Sequence, residues 1–322
     1  MRVPFSYANG VAISAQNNLI PKSRFLSATE AKTADEAYKT LTAGGFGKDA
    51  DVSSVADYEK AAAAEEIALK NFIDEYSRPS VKYYCFLKTD FFNCDVAVRK
   101  VKLGLPVGYA GNGLTDCAAI EEYVSARKGE LPAYLKSVMD ELLFACDKKS
   151  PSGAELSLIA LRAYYKTALK IIRNRLIRDL IKTEADCLNV SAYFRAKDGA
   201  SAEKQFIDGG RLSKTKLAVI AAGDAGRIRD AFTFTPYKDL IEACLKAKTE
   251  SRPLSEFEKI KDDYPMARLF DKRYSCEGII PTLLYATYKK VEIKNFRTVA
   301  SGKLAGADSA AIARRLRNGY VG

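Results

Sequence analysis

An all-α fold follows from three features of this sequence. Ala, Lys, Leu and Glu dominate its 322 residues, with only 10 prolines and 20 glycines to interrupt them. That balance favours helix over strand. The Ser/Thr-x-x-Glu spacing of a capping box occurs at Ser27–Glu30, Thr33–Glu36, Ser152–Glu155 and Ser255–Glu258. In that motif the hydroxyl accepts a free backbone N–H and the acid reaches back to the cap. No segment alternates apolar and polar residues convincingly. Phe232-Thr233-Phe234-Thr235 comes nearest to a strand and is too short to define a sheet.

The elements then follow in order. Residues 54–76 read as one helix, with Ala61 to Ala64 favouring it and Ile67, Phe72 and Ile73 as apolar positions. Arg78-Pro79 ends it, because proline disfavours helix at the preceding residue. A second helix runs over 80–103, stopped by Gly104-Leu105-Pro106, and 104–116 is the clearest loop. Helices are expected at 116–127 and 131–147, separated by 147–153 from a helical run of 154–197. Unbroken, that run would be ~65 Å long, so a kink or break is expected within it. Later helices are expected at 213–222, 236–248, 255–270, 279–304 and 308–318. Pro236 suits a first helical position, and Gly306 falls where a C-terminal cap belongs.

Composition removes several function classes. The chain has no histidine, hence no usual general base near neutral pH and none of the Ser–His or Cys–His nucleophiles. Its 7 cysteines are scattered without C-x-x-C spacing, which argues against a zinc or disulfide framework and suits small buried hydrophobes. Gly44-Gly45-Phe46-Gly47-Lys48 lacks the spacing and the Ser/Thr of a phosphate loop and reads as a connection between helices. No apolar stretch is long enough to span a bilayer or to make a signal peptide. No catalytic, cofactor-binding or metal-binding residue is expected. The net charge of +11 favours an acidic partner or solubility alone.

One pattern recurs. Asp90-x-x-Asn93 is followed by Arg99 and Gly104, Asp186-x-x-Asn189 by Arg195 and Gly199, and Glu292-x-x-Asn295 by Arg297 and Gly306. Spacing of three places acid and amide on one helical face. The spacing between copies suggests three similar helical units: 1–108, 109–205 and 206–322. Such Asp, Asn and Arg side chains more often tie neighbouring helices together than touch a partner, which is the alternative role.

The stretch from Tyr288 to Gly306 contains Glu292-Ile-Lys-Asn295-Phe-Arg297, an apolar spacer, and Gly302-Lys303-Leu-Ala-Gly306. A basic ending with Arg314, Arg315, Leu316, Arg317, Tyr320 and Val321 follows it. This pattern resembles the closing helix of the V-type ATPase subunit called C in prokaryotes and d in eukaryotes. Pro281, Tyr285 and the opening Tyr7-Ala8-Asn9 agree. Phe296 stands in place of a leucine, and Gly-Val-Ala-Ile-Ser replaces the basic residues after the opening. The resemblance implies a funnel of three helical units around a pseudo-threefold axis. It implies a non-catalytic central-stalk part without a cofactor, sitting on the cytoplasmic face of the proteolipid ring. There it would receive the rotor shaft, as one copy in a hetero-oligomeric complex. Two rival readings are a basic nucleic-acid-binding protein, suggested by Lys82-Tyr83-Tyr84 and Arg162-Ala-Tyr164-Tyr165-Lys166, and an enzyme with a lysine or cysteine nucleophile.

Overall fold

The computed structural model describes residues 3–320 except 53, 128, 149, 197 and 252. Among these lie sixteen α-helices, one 3-10 turn and no strand, with 72 % of the chain helical. The all-α expectation holds.

Three short helices open the chain: α1 (Phe5–Gln16), α2 (Lys22–Glu30) and α3 (Ala34–Thr42). Thr33 caps α3 by accepting from the Glu36 N–H at 3.1 Å. Ser27, however, lies inside α2, and Ser255 lies inside the first turn of a later helix. Pro21 and Pro253 occupy those N-cap positions, at φ −71° and −63°. Proline's fixed φ starts a helix without help from a hydroxyl. A 3-10 turn (Val55–Asp57) leads into α4 (Tyr58–Tyr76), and Pro79 begins α5 (Pro79–Leu103).

Next come α6 (Cys117–Ala126), α7 (Ala133–Lys148), α8 (Gly153–Ile171) and α9 (Arg175–Arg195). Ser152 and Glu155 form a complete capping box at α8. The expected break in the long run falls at 172–174. Ile172 turns extended, and Asn174 caps α9 by accepting from Ile177 at 3.1 Å. Lys197, the expected end of that run, is outside the described residues.

The last third holds α10 (Gly199–Lys204), α11 (Lys214–Ala221), α12 (Ala225–Phe232), α13 (Lys238–Thr249), α14 (Leu254–Phe270), α15 (Ile280–Leu304) and α16 (Ser309–Arg315). Phe232 ends α12, and Thr233–Thr235 form a turn. Pro236 is in that turn rather than in α13, where Tyr237 is the N-cap. Gly306, at φ +67°, closes α15: its N–H reaches Lys303 O, and the Ala307 N–H reaches Gly302 O at 2.9 Å. Only a left-handed residue lets both terminal carbonyls be satisfied in this way.

The chain folds into two compact units, residues 1–81 with 232–322, and residues 82–231. In the first, α15 is the central strut, packed by α1, α2, α3, α4, α14 and α16. Phe25, Leu41, Phe46, Phe296 and Ile312 fill the core between them. In the second, α8 packs on α7 and α9, and α9 packs on α10 and α11. Phe91 of α5 stacks against Tyr134 and Tyr164, with ring centroids 6.4 and 6.1 Å away.

Candidate functional site

The acid-x-x-Asn pairs lie on α5, α9 and α15, the most buried helices of their units, and all six side chains are buried. Each asparagine grips one residue further along the chain by both its N–H and its C=O. Asn93 Nδ2 donates to Ala110 O, and Ala110 N donates back to Oδ1, both at 2.9 Å. Asn189 holds Ile207 in the same way, both bonds at 2.8 Å. Asn295 holds Arg317, at 3.0 and 2.8 Å. A primary amide is the one side chain that offers a donor and an acceptor in this geometry. It completes a peptide that the loop would otherwise leave unpaired.

The acids do a second job. Asp90 accepts from the Leu114 and Thr115 N–H groups at 2.6 and 3.0 Å, and from the Thr115 and Tyr134 hydroxyls. Asp186 accepts from Arg211 and Leu212, each at 2.9 Å. Glu292 accepts from Ile20 at 2.6 Å. Thr115, Leu212 and Ile20 each immediately precede an N-cap: Asp116 of α6, Ser213 of α11 and Pro21 of α2. So each pair ties down the loop and aims the next helix. For the third copy the next helix is α2, near the start of the chain.

Glu292 has a further partner. Lys289, buried in α15, meets Glu292 and Glu65 at 2.5 and 2.6 Å and lies 5.0 Å from the centre of the Phe46 ring. Burial pulls the Lys289 ammonium down, but the two carboxylates outweigh it and hold it above its ordinary range. Burial pushes Asp90 above the usual carboxylate range despite its four hydrogen bonds.

The basic residues of the pattern diverge. Arg99 bonds Asp95 at 2.7 Å and reaches Gly153 O and Ser157 of α8. Arg297 pairs with Glu59 and Glu66 of α4, at 2.9 and 2.5 Å. Lys303 donates to Ala31 O at 2.7 Å. Arg195 is exposed and donates to Ser191 O at 3.2 Å. Gly104 and Gly306 share a left-handed backbone at φ +65° and +67°. Gly199 does not; it starts α10 behind the Asp198 cap. The glycines that do recur are ones the sequence pattern missed. A Cβ on Gly113 would lie 2.7 Å from Asp90 Oδ1, and one on Gly210 would lie 2.1 Å from Asp186 Oδ1. They stand 23 and 24 residues after their acids, in loops of unequal length, where no fixed offset marks them.

Among the described residues, no three His, Cys, Asp or Glu side chains gather to hold a metal. All seven cysteines are free, and burial pushes Cys244 up to about 12, so it stays a thiol. The second unit has an apolar groove of about 810 Å³ between α8 and α9, lined by Leu158, Leu161, Leu188 and Ala192 with Arg162 and Arg195 at the edge. Arg162 is spent on Lys204 O and Phe206 O, at 2.8 and 2.9 Å. Of the tyrosines that suggested base stacking, Tyr164 and Tyr165 are interior, each 1 % exposed, while Tyr83 and Tyr84 are half-buried and Tyr84 donates to Glu184 at 2.7 Å.

A model of the ATP synthase (C/AC39) subunit family matches residues 8–315, nearly the whole chain. The chain belongs to that family. Among individual curated proteins none matches it. As a C/AC39-type subunit it is a component of the V-type ATPase/ATP synthase class. No described helix is long and apolar enough to cross a membrane. All three ties of this subunit fall within the matched span except at Arg317, two residues beyond it. Val321, part of the C-terminal resemblance, is outside the described residues.

Proposed function

We propose that this C/AC39 subunit is the non-catalytic socket of the central stalk. It joins the rotor shaft to the membrane proteolipid ring and transmits torque for ATP-coupled proton or sodium transport. It stands on the cytoplasmic side as a peripheral part of the complex and takes no cofactor. The family match over 8–315 carries this reading. The three buried ties support it, because a torque-bearing part needs loops and helices that cannot slide. A side chain that satisfies a peptide at both ends fixes a loop in position as well as in energy.

The ties also support the division into units 1–108, 109–205 and 206–322. Ala110 and Ile207 lie just past the first two boundaries, so Asn93 and Asn189 each hold the beginning of the following unit. Glu292 holding Ile20 closes the series back onto the first. On this reading the paired acids and amides serve the subunit internally, and partner contact falls to its exposed surface.

Reconstitution of the complex with and without this chain tests the proposal. ATP hydrolysis is expected to persist without it while ion transport is lost.

A further inference from the structure

The surplus of positive charge is not spread evenly. Between Glu155 and Asp179 the sequence holds Arg162, Lys166, Lys170, Arg173, Arg175 and Arg178, and no acid. The structure folds this stretch into the end of α8, the turn at 172–174 and the start of α9. Two of the six cations have internal work. Arg162 caps the carbonyls of Lys204 and Phe206, and Arg178 reaches back to Leu169 O and Ile172 O. The second contact fastens the turn. Lys166, Lys170, Arg173 and Arg175 are exposed at the tip of this hairpin.

Helix stability explains only part of the cluster. Lys170 and Arg173 lie at the C-terminal end of α8, where cations suit the helix dipole. Arg175 is the first residue of α9, where a positive charge opposes the dipole, so its presence there serves something else. Two acids lie close to this stretch in sequence or in the fold. Asp179 is committed to Arg211 at 2.8 Å. Asp208 stands next to Gly209, in a loop that packs on Leu169.

The tip lacks what other polyanion partners need. Tyr164 and Tyr165 are interior, so no ring is offered for base stacking. Leu169, Ile171 and Leu176 are half-buried, so no exposed apolar or aromatic anchor projects of the kind that centres a protein interface. What remains is a turn fastened by Arg178, with four exposed cations and half-buried apolar flanks. A diffuse negative plane suits that cluster of exposed charge without an anchor. We infer that the α8–α9 tip docks on anionic phospholipid headgroups. The inference is compatible with the socket reading but does not depend on it.

The test is co-sedimentation of the full chain with phosphatidylcholine vesicles, with and without phosphatidylserine, at low salt and at about 0.15 M salt. The variant K166Q/K170Q/R173Q/R175Q is compared with a charge-matched control, K32Q/K39Q/K136Q/K246Q, altered at exposed lysines elsewhere. All eight positions are exposed, so circular dichroism should show both variants folded. Binding should require phosphatidylserine. The tip variant should lose it by roughly 100- to 1,000-fold, at about fivefold per charge, and the control by far less. Equal losses in the two variants would reduce the effect to net charge and overturn the inference. So would a tip variant that binds vesicles normally. If such a variant instead failed to assemble with the other subunits, the tip would belong to an acidic protein face.

Discussion

Asn93, Asn189 and Asn295 each complete one peptide, and the three sites differ in how much water reaches them. The Asn189 bonds to Ile207 are fully buried, while those of Asn93 and Asn295 are partly so. Asn189→Ala should therefore cost most, about 2–3 kcal/mol, because it strands a buried N–H and C=O together. Asn93→Ala and Asn295→Ala should cost less, and denaturant melts of the three variants would rank them. Lys289 is a different case. Lys289→Met leaves the buried Glu292 and the half-buried Glu65 without their cation and should cost about 3–5 kcal/mol. Adding Glu292→Gln should recover part of that loss, since the amide oxygen can still accept from Ile20. A second mutation that brings no recovery would remove the charge argument. Acid should act at Asp262, which bonds Arg317 at 3.1 Å and also pairs with Lys294. Burial pushes Asp262 up, but Lys294, Lys261 and Arg317 outweigh it and hold the carboxyl below its usual range. Its contribution is thus present above the unfolded Asp value of about 4 and lost as pH falls through the lower folded value. The protection of the Arg317 amide, relative to its intrinsic exchange rate, should fall over that acid range, and Asp262→Asn should abolish the change.

At the scale of elements, the loops after α5 and α9 are held by contact as much as by bonds. Gly210→Ala would push a Cβ against Asp186 and should destabilise the second unit by about 1–3 kcal/mol. Gly108→Ala, which meets nothing within 4 Å, should be nearly neutral. Similar thermal shifts for both variants would remove the close-approach argument. These loops also show where sequence reasoning stops. The break between α8 and α9 was legible because an uninterrupted helix of that length is improbable, and Gly306 because the cap position needs a left-handed residue. The acid-x-x-Asn pairs were legible as a pattern, but their partners are backbone groups of Ala110, Ile207 and Arg317. Any residue type supplies a peptide, so the partners leave no signature in the sequence. Ser27 and Ser255 misled because local spacing outweighed the neighbouring prolines. Helices as short as α10 and α12 carry too few turns to show a period.

For the whole molecule, the ties link regions far apart in the chain. The bond from Ile20 to Glu292 spans 272 residues, and that from Lys303 to Ala31 also spans 272. The first and last segments are consequently one folded unit. Neither segment can peel away without opening the core around Phe296. On the proposed function the charge surplus gives assembly an electrostatic share, so binding of this subunit to its neighbours should weaken as ionic strength rises. The most direct measurement is ATP hydrolysis and ion flux followed together in the reconstituted complex, with and without this chain. The account predicts hydrolysis without transport when the chain is missing, and restored coupling when it is added back. Full coupling in its absence would contradict the socket function.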